Sequence, residues 1–234
     1  MKVVILCGGL GTRISSETFN KPKPMIKIGK IPILEHLINI CIKNEVNEIL
    51  ILLGYKGKII KKYFSKKKYS KKIKFVETGL KTLTGERLLK AKKYFKKDDI
   101  FMVTYGDGLS NVNFKKLKKF HNTHKKVATL TAVRPPARFG EIFFKNKMLV
   151  KSFREKHQIS SGWINGGFIL FDYNIFRYLR KKEMLERLPM QRLLKTKNLA
   201  AYKHYGFWQC MDTLRDKINL ENIIKKSKNL PWLD

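Results

Sequence analysis

The strongest constraint on the fold of this chain lies in its first thirteen residues. Lys2-Val3-Val4-Ile5-Leu6-Cys7 is an almost unbroken apolar run, and it passes directly into Gly8-Gly9-Leu10-Gly11-Thr12-Arg13. A strand that is apolar on both faces must be covered on both sides, as strands of a parallel sheet are. The pattern then repeats. Pro32 opens an amphipathic helix over Ile33 to Ile42, and Glu48 to Leu53 reads as a second buried strand. A short helix over Lys58 to Phe64, a third strand over Ile73 to Val76 and a helix over Glu86 to Phe95 follow. A fourth strand, Ile100 to Thr104, ends at Tyr105-Gly106-Asp107-Gly108. This alternation predicts an α/β protein, Rossmann-like, with a mostly parallel twisted sheet flanked by helices.

The second half reads differently. Val127 to Val133, Glu141 to Phe144, Leu149 to Phe153 and Trp163 to Phe171 read as strands, with a hairpin turn at Lys145-Asn146-Lys147 and a closing helix over Met211 to Lys226. No repeat and no Gly-, Ser- or Pro-rich linker interrupts the chain. Residues 1–234 are therefore expected to form a single domain, with a mostly parallel half (1–125) and an antiparallel-flavoured substrate half (126–234).

Composition narrows the function classes. With 43% apolar and 12% aromatic residues the chain can build a core. No run approaches the roughly 18 apolar residues of a membrane span, and the first segment lacks a signal-peptide cleavage region. Cys7, Cys41 and Cys210 have neither metal nor redox spacing, so reduced thiols and a cytoplasmic location are expected. The formal net charge is +33, but lysines outnumber arginines about four to one and are scattered along the chain. That is the pattern of solvated faces rather than a nucleic-acid surface, so neither a specific nucleic acid nor a membrane is an expected partner.

A glycine loop after a buried strand suits phosphate binding, because its backbone N–H groups can approach the anion closely. The dinucleotide pattern fails at Ile14, and no Gly-Lys-Ser/Thr tripeptide forms a P-loop. Arg13 and Lys23, the latter held between Pro22 and Pro24, can neutralise a polyphosphate. Asp107, between two glycines at a strand end, reads as either a turn residue or a Mg²⁺ ligand. Asp212 reads as either a second ligand or a helix N-cap.

Gly-Gly-Leu-Gly-Thr-Arg followed by Lys21-Pro22-Lys23-Pro24-Met25 resembles the sugar-1-phosphate nucleotidylyltransferase family. So do Thr84-Gly85-Glu86-Arg87, Tyr105-Gly106-Asp107-Gly108, Arg138-Phe139-Gly140, Phe153-Arg154-Glu155-Lys156, Ile164-Asn165-Gly166-Gly167-Phe168 and Gly206 to Asp216. The combination is most like the glucose-1-phosphate cytidylyltransferase branch. It implies the nucleotide-diphospho-sugar transferase fold and the reaction of CTP with α-D-glucose 1-phosphate to CDP-glucose and pyrophosphate. The precursor would serve surface-polysaccharide synthesis, and the enzyme would be a homo-oligomer. Another nucleotide or sugar 1-phosphate, or a non-catalytic regulator, are the alternatives.

By the same resemblance, Arg13, Lys23 and Asp107 are catalytic, and Asp107 and Asp212 carry Mg²⁺. Leu6, Gly8, Gly9, Gly11, Thr12, Arg13, Lys23, Thr82, Gly85 and Arg87 hold the nucleotide. Gly140, Glu155, Lys156 and Asn165 hold the sugar phosphate. The chain departs from the family in a tighter stretch between Phe64 and Phe75, in His157 where proline usually follows the Glu-Lys pair, and in Cys210 at another proline position.

Overall fold

The computed structural model describes residues 1–14, 18–137, 139–155 and 162–234, and only the backbone of Arg13. Its strands are β1 (Lys2–Cys7), β2 (Lys27–Ile28), β3 (Ile31–Pro32), β4 (Glu48–Leu53), β5 (Ile73–Glu77), β6 (Ile100–Tyr105) and β7 (Gly108–Ser110), then β8 (Ala128–Val133), β9 (Glu141–Phe144), β10 (Val150–Arg154), β11 (Ile164–Asn165), β12 (Ile169–Asp172), β13 (Leu199–Lys203) and β14 (Trp208–Cys210). The α-helices among the described residues are α1 (Ile33–Lys43), α2 (Gly57–Phe64), α3 (Thr84–Lys90), α4 (Phe114–His124), α5 (Leu188–Lys195) and α6 (Leu214–Lys226).

The main sheet is mixed but mostly parallel. β5, β4, β1 and β6 run parallel to one another in that order. β12 is antiparallel to β6 and to β8, and β13 lies parallel on the far edge of β8. β11 pairs with β8 on the same edge as β12, so 164–172 is one reversed strand with a break in it. Three small ribbons stand apart among the described residues, β2 with β3, β9 with β10 and β7 with β14.

Alternation along the central strands builds two cores. Val3, Ile5, Ile49, Ile51, Met102 and Leu170 face one side, where α1, α2, α4 and α6 cover them. Val4, Leu6, Leu50, Leu52, Phe101 and Phe171 face the other, beneath α3 and α5. Both faces of β1 are therefore dry, as its apolar run requires.

Three sequence expectations change. The helix expected to reach Phe95 ends at Lys90 and continues as a 3₁₀ turn over Lys92–Tyr94. The tighter turn delivers Phe95 onto Phe101 at 4.1 Å and Phe176 at 5.7 Å. The strand expected over 163–171 breaks at Gly167 and Phe168, both at positive φ. There the Trp208 indole donates to the Gly166 carbonyl at 2.7 Å and the Thr131 hydroxyl to that of Phe168 at 2.8 Å. The closing helix starts at Leu214 rather than Met211, because Thr213 and Asp216 form a capping box. Thr213 is the N-cap, and Asp212 lies outside the helix.

Helix α4 is absent from the sequence reading because Lys115, Lys116, Lys118 and Lys119 hide its Phe114, Leu117 and His121 stripe. His121 is 3% exposed, and its Nδ1 meets the Thr129 hydroxyl at 2.7 Å, which His124 also reaches at 2.8 Å. Burial, helped by His124, lowers the His121 pKa to about 4. A histidine harder to protonate when folded stabilises the fold fully above its ordinary value near 6.5, and that contribution is lost as pH falls towards 4. Denaturant midpoints measured across that window should fall in the wild type and fall less in His121→Gln.

Candidate active site

The candidate site lies along the carboxyl edge of the parallel strands, where open α/β sheets bind ligands. Two cavities meet there. The smaller, about 320 Å³, is lined by the 6–12 segment together with Lys23, Pro24, Thr82 and Arg87. The larger, about 1250 Å³, is lined by Gly140, Asn165, Trp208, Asp212 and the start of α6. Thr84, Tyr105, Asp107 and Met184 line both, so Asp107 stands at the junction.

The three loop glycines answer to different constraints. A Cβ on Gly8 would lie 2.1 Å from the Arg87 guanidinium carbon. Gly11 has φ +71°, a conformation that costs side-chain-bearing residues. Gly9 alone opens onto free space, with nothing within 4 Å of an added Cβ. Arg87 is 3% exposed and spends its donors on the chain itself. It donates to the carbonyls of Gly8 at 2.9 Å, Leu53 at 3.1 Å, Gly79 at 2.8 Å and Leu80 at 3.2 Å, and to the Thr78 hydroxyl at 2.5 Å. Burial lowers its pKa below the ordinary arginine value. In the free protein Arg87 thus shapes the loop from behind, adjoining the smaller cavity.

Lys23 sits in a 3₁₀ turn between two prolines and is 8% exposed. Its ammonium donates to Asp107 Oδ2 and to Asp212 Oδ1, each at 2.5 Å. Burial opposes the charged form, but the two carboxylates outweigh it and hold the Lys23 pKa above the ordinary value. The carboxylates belong to opposite halves of the chain, 105 residues apart in numbering and brought to one ammonium by the ends of β6 and β14. Each side chain keeps about a fifth of its surface open, 23% for Asp107 and 20% for Asp212. No cluster of three or more His, Cys, Asp or Glu occurs among the described residues. A pair of converging carboxylates suits a hard cation that completes its shell with phosphate oxygens and water.

The other expected residues fall around these points. Leu6 is the last residue but one of β1, just before the loop, and Thr12 begins a 3₁₀ turn over Thr12–Ile14. The Thr82 hydroxyl is tied to the Thr78 carbonyl at 2.6 Å. Gly85 lies under a loop from the second half, where a Cβ would be 2.9 Å from the Glu183 carbonyl. Gly140 and Asn165 line the larger cavity, and Glu155 lies against Gly140, its Oε2 2.7 Å from where a Cβ would stand. Lys156 and the Arg13 side chain lie outside the described residues, as do Arg138 and His157. The sequence reading missed Tyr105, Thr84 and Glu186 as a group. Tyr105 donates to Glu186 Oε1 at 2.5 Å and Thr84 to its Oε2 at 2.7 Å. Glu186 has no motif around it, and only the tertiary fold reveals its place.

The cysteines take no part in this chemistry. Burial pushes the Cys7 thiol far up, and burial with Asp212 and Asp107 pushes Cys210 up to about 12. Neither is a thiolate near neutral pH.

The glycine geometry separates two variants. Gly8→Ala should lower stability by about 1–3 kcal/mol by displacing the Arg87 guanidinium. Gly9→Ala should melt like the wild type and yet bind a nucleoside triphosphate more weakly. Thermal melts and nucleotide titrations of both variants check this.

Comparison with known proteins agrees with this geometry. A model of the nucleotidyl transferase family matches residues 2–214. A glucose-1-phosphate cytidylyltransferase of Salmonella typhimurium (strain LT2) is 39% identical over 255 aligned positions, covering 99% of this chain and 98% of its own. One from Salmonella typhi matches equally well, at 39% over the same shares. Among solved structures, HddC from Yersinia pseudotuberculosis superposes with a TM-score of 0.74 at 25% identity, over 94% of this chain and 98% of that one. A UDP-glucose pyrophosphorylase from Acinetobacter baumanii, 16% identical, shares the fold with a TM-score of 0.71 over 98% and 95%. A match that starts in β1 and runs past Asp212, with relatives aligned nearly end to end, places the chain by descent as well as by shape: it belongs to the nucleotidyl transferase family.

Proposed function

We propose that the protein transfers the cytidylyl group of CTP to α-D-glucose 1-phosphate, releasing pyrophosphate and forming CDP-glucose. The observation that carries this reading is Asp107 at the junction of two cavities, sharing the Lys23 ammonium with Asp212. The relatives named as glucose-1-phosphate cytidylyltransferases supply the substrate pair. The 1–125 half takes the nucleotide in the smaller cavity, and the 126–234 half takes the sugar phosphate in the larger one. The enzyme acts in the cytoplasm as a homo-oligomer, with its thiols reduced, to supply nucleotide sugar for surface polysaccharide.

In this reaction a phosphate oxygen of glucose 1-phosphate attacks the α-phosphorus of CTP. The new P–O bond forms as the α–β bridging bond breaks, and its electrons leave with pyrophosphate. The attacking monoester is already an oxyanion near neutral pH, so no side chain need remove a proton. The difficulty is bringing two polyanions together in line. The glycine loop offers backbone N–H donors, while Lys23, with Arg13 and Lys156, supplies positive charge where the phosphates crowd. Asp107 and Asp212 would hold Mg²⁺, which supplies charge neutralisation on the nucleotide's phosphate oxygens when bound.

Incubation with each nucleoside triphosphate, glucose 1-phosphate and Mg²⁺, with pyrophosphate as the readout, tests the reading. CTP should be preferred; preference for UTP, dTTP or GTP would change the substrate, and no release from any would remove the activity. Asp107→Asn and Asp212→Asn should release almost no pyrophosphate while folding normally. Lys23→Ala should raise the barrier by about 2–4 kcal/mol, read as a fall in kcat/KM for CTP.

A further inference from the structure

A loop from the second half of the chain reaches across onto α3 and both cavities. Three main-chain bonds hold it there. Lys182 N–H donates to Glu86 Oε2 at 3.0 Å, Gly85 N–H to the Glu183 carbonyl at 3.1 Å, and Leu185 N–H to the Thr84 hydroxyl at 2.8 Å. Arg192 on α5 grips Glu183 with two guanidinium nitrogens and fixes the loop from its other side. Gly85 has no side chain because the 183–185 backbone lies where one would stand.

This clasp delivers one carboxylate to a chosen place. Glu186 accepts from Tyr105 on one oxygen and from Thr84 on the other. Tyr105 and Thr84 are two of the four residues shared by the walls of both cavities. Asn165 lines the larger cavity together with Tyr105, and its Oδ1 accepts from the Gly167 N–H at 3.0 Å. The Tyr105 ring lies 3.2 Å from where a Gly167 Cβ would stand, so a side chain at that position would crowd the ring. Burial, and then the Glu186 charge, keep the Tyr105 hydroxyl a neutral donor. A chain of hydrogen bonds therefore runs from Tyr105 through Glu186 to Thr84, along the wall that the two cavities share.

We propose that Glu186 is a positioning residue, which locks Tyr105 and Thr84 as the partition between the two cavities and so couples binding in one to binding in the other. This rests on the two-substrate reading given above. A carboxylate with both oxygens engaged can hold two hydroxyls at once, whereas an amide of the same size offers one acceptor and one donor. Losing one anchor frees one wall residue, and each substrate then has to order a partition that Glu186 holds ready in the native chain.

The test uses the full-length protein with a non-reacting methylene analogue of CTP, glucose 1-phosphate and Mg²⁺. In the wild type, saturating sugar phosphate should tighten analogue binding about 5-fold or more. In Glu186→Gln that tightening should fall towards one, and the KM values for both substrates should rise several-fold while the thermal midpoint stays near wild type. Tyr105→Phe, which removes only the hydroxyl, should reproduce the lost coupling and asks the same question should the first variant fail to fold. The double variant should be no worse than the more impaired single one, because both break one network. Wild-type coupling in Glu186→Gln, an effect on one substrate alone, or fully additive losses would overturn the role of Glu186 while wild-type turnover leaves the proposed reaction standing. A wild-type protein without turnover overturns that reaction, and the role with it.

Discussion

One buried cation holds the nucleotide end of the sheet together. β1, β4 and β5 stop side by side, where Tyr55 N–H donates to the Gly8 carbonyl and the Thr78 N–H and hydroxyl donate to that of Leu53. Arg87 adds a charged donor to both carbonyls and to the Thr78 hydroxyl, tying the three strand ends to one guanidinium. An unpaired buried charge is costly, yet a guanidinium ringed by carbonyl and hydroxyl dipoles keeps most of what water would give it. The result is a rigid floor beneath a loop that has little else to define it. Positive charge lies just behind the backbone that an anion would approach. Gly8 and Gly54 are then constrained by the space the guanidinium takes, before any ligand enters the argument.

A second cation performs the matching task across the halves. Lys23 draws Asp107 from the end of β6 and Asp212 from the end of β14 onto a single nitrogen. Removing Lys23 would leave two carboxylates facing one another without compensation, whereas removing one carboxylate leaves the ammonium paired with the other. The prolines on either side of Lys23 limit its backbone and aim its long side chain inward. The capping box at Thr213 contributes as well, because it starts α6 one residue too late to consume Asp212 as a cap.

Legibility followed the range of the interaction. β1, β4 and β6 were readable because apolar runs of five or six residues need only their own composition to declare themselves. The glycine loop, Lys23, Asp107 and Asp212 stand in local motifs, and the fold brings them to one edge. The break at Gly167 and Phe168 could not be read from an apolar stretch, because it depends on Trp208 and Thr131 from distant strands. Helix α4 was hidden by lysines at its exposed positions, although its buried stripe is intact. Glu186 was the least visible, since its meaning lies in Thr84 and Tyr105, about a hundred and about eighty residues away. The glycines taught a further lesson: three in one loop suggest one purpose, and they serve three.

The reversed strand β12 has a consequence for how this chain can be inherited. It comes from the second half of the sequence, yet it is the strand that bridges β6 of the first half and β8 of the second in the main sheet. A cut between the halves would leave β6 with a bare apolar edge and β12 without its β6 partner, although β8 would keep β12 and β13. Neither piece would keep its own core, so the halves cannot be traded between genes as self-sufficient modules. The β9–β10 ribbon pairs with no other strand among the described residues, so a change in its length would leave that seam untouched.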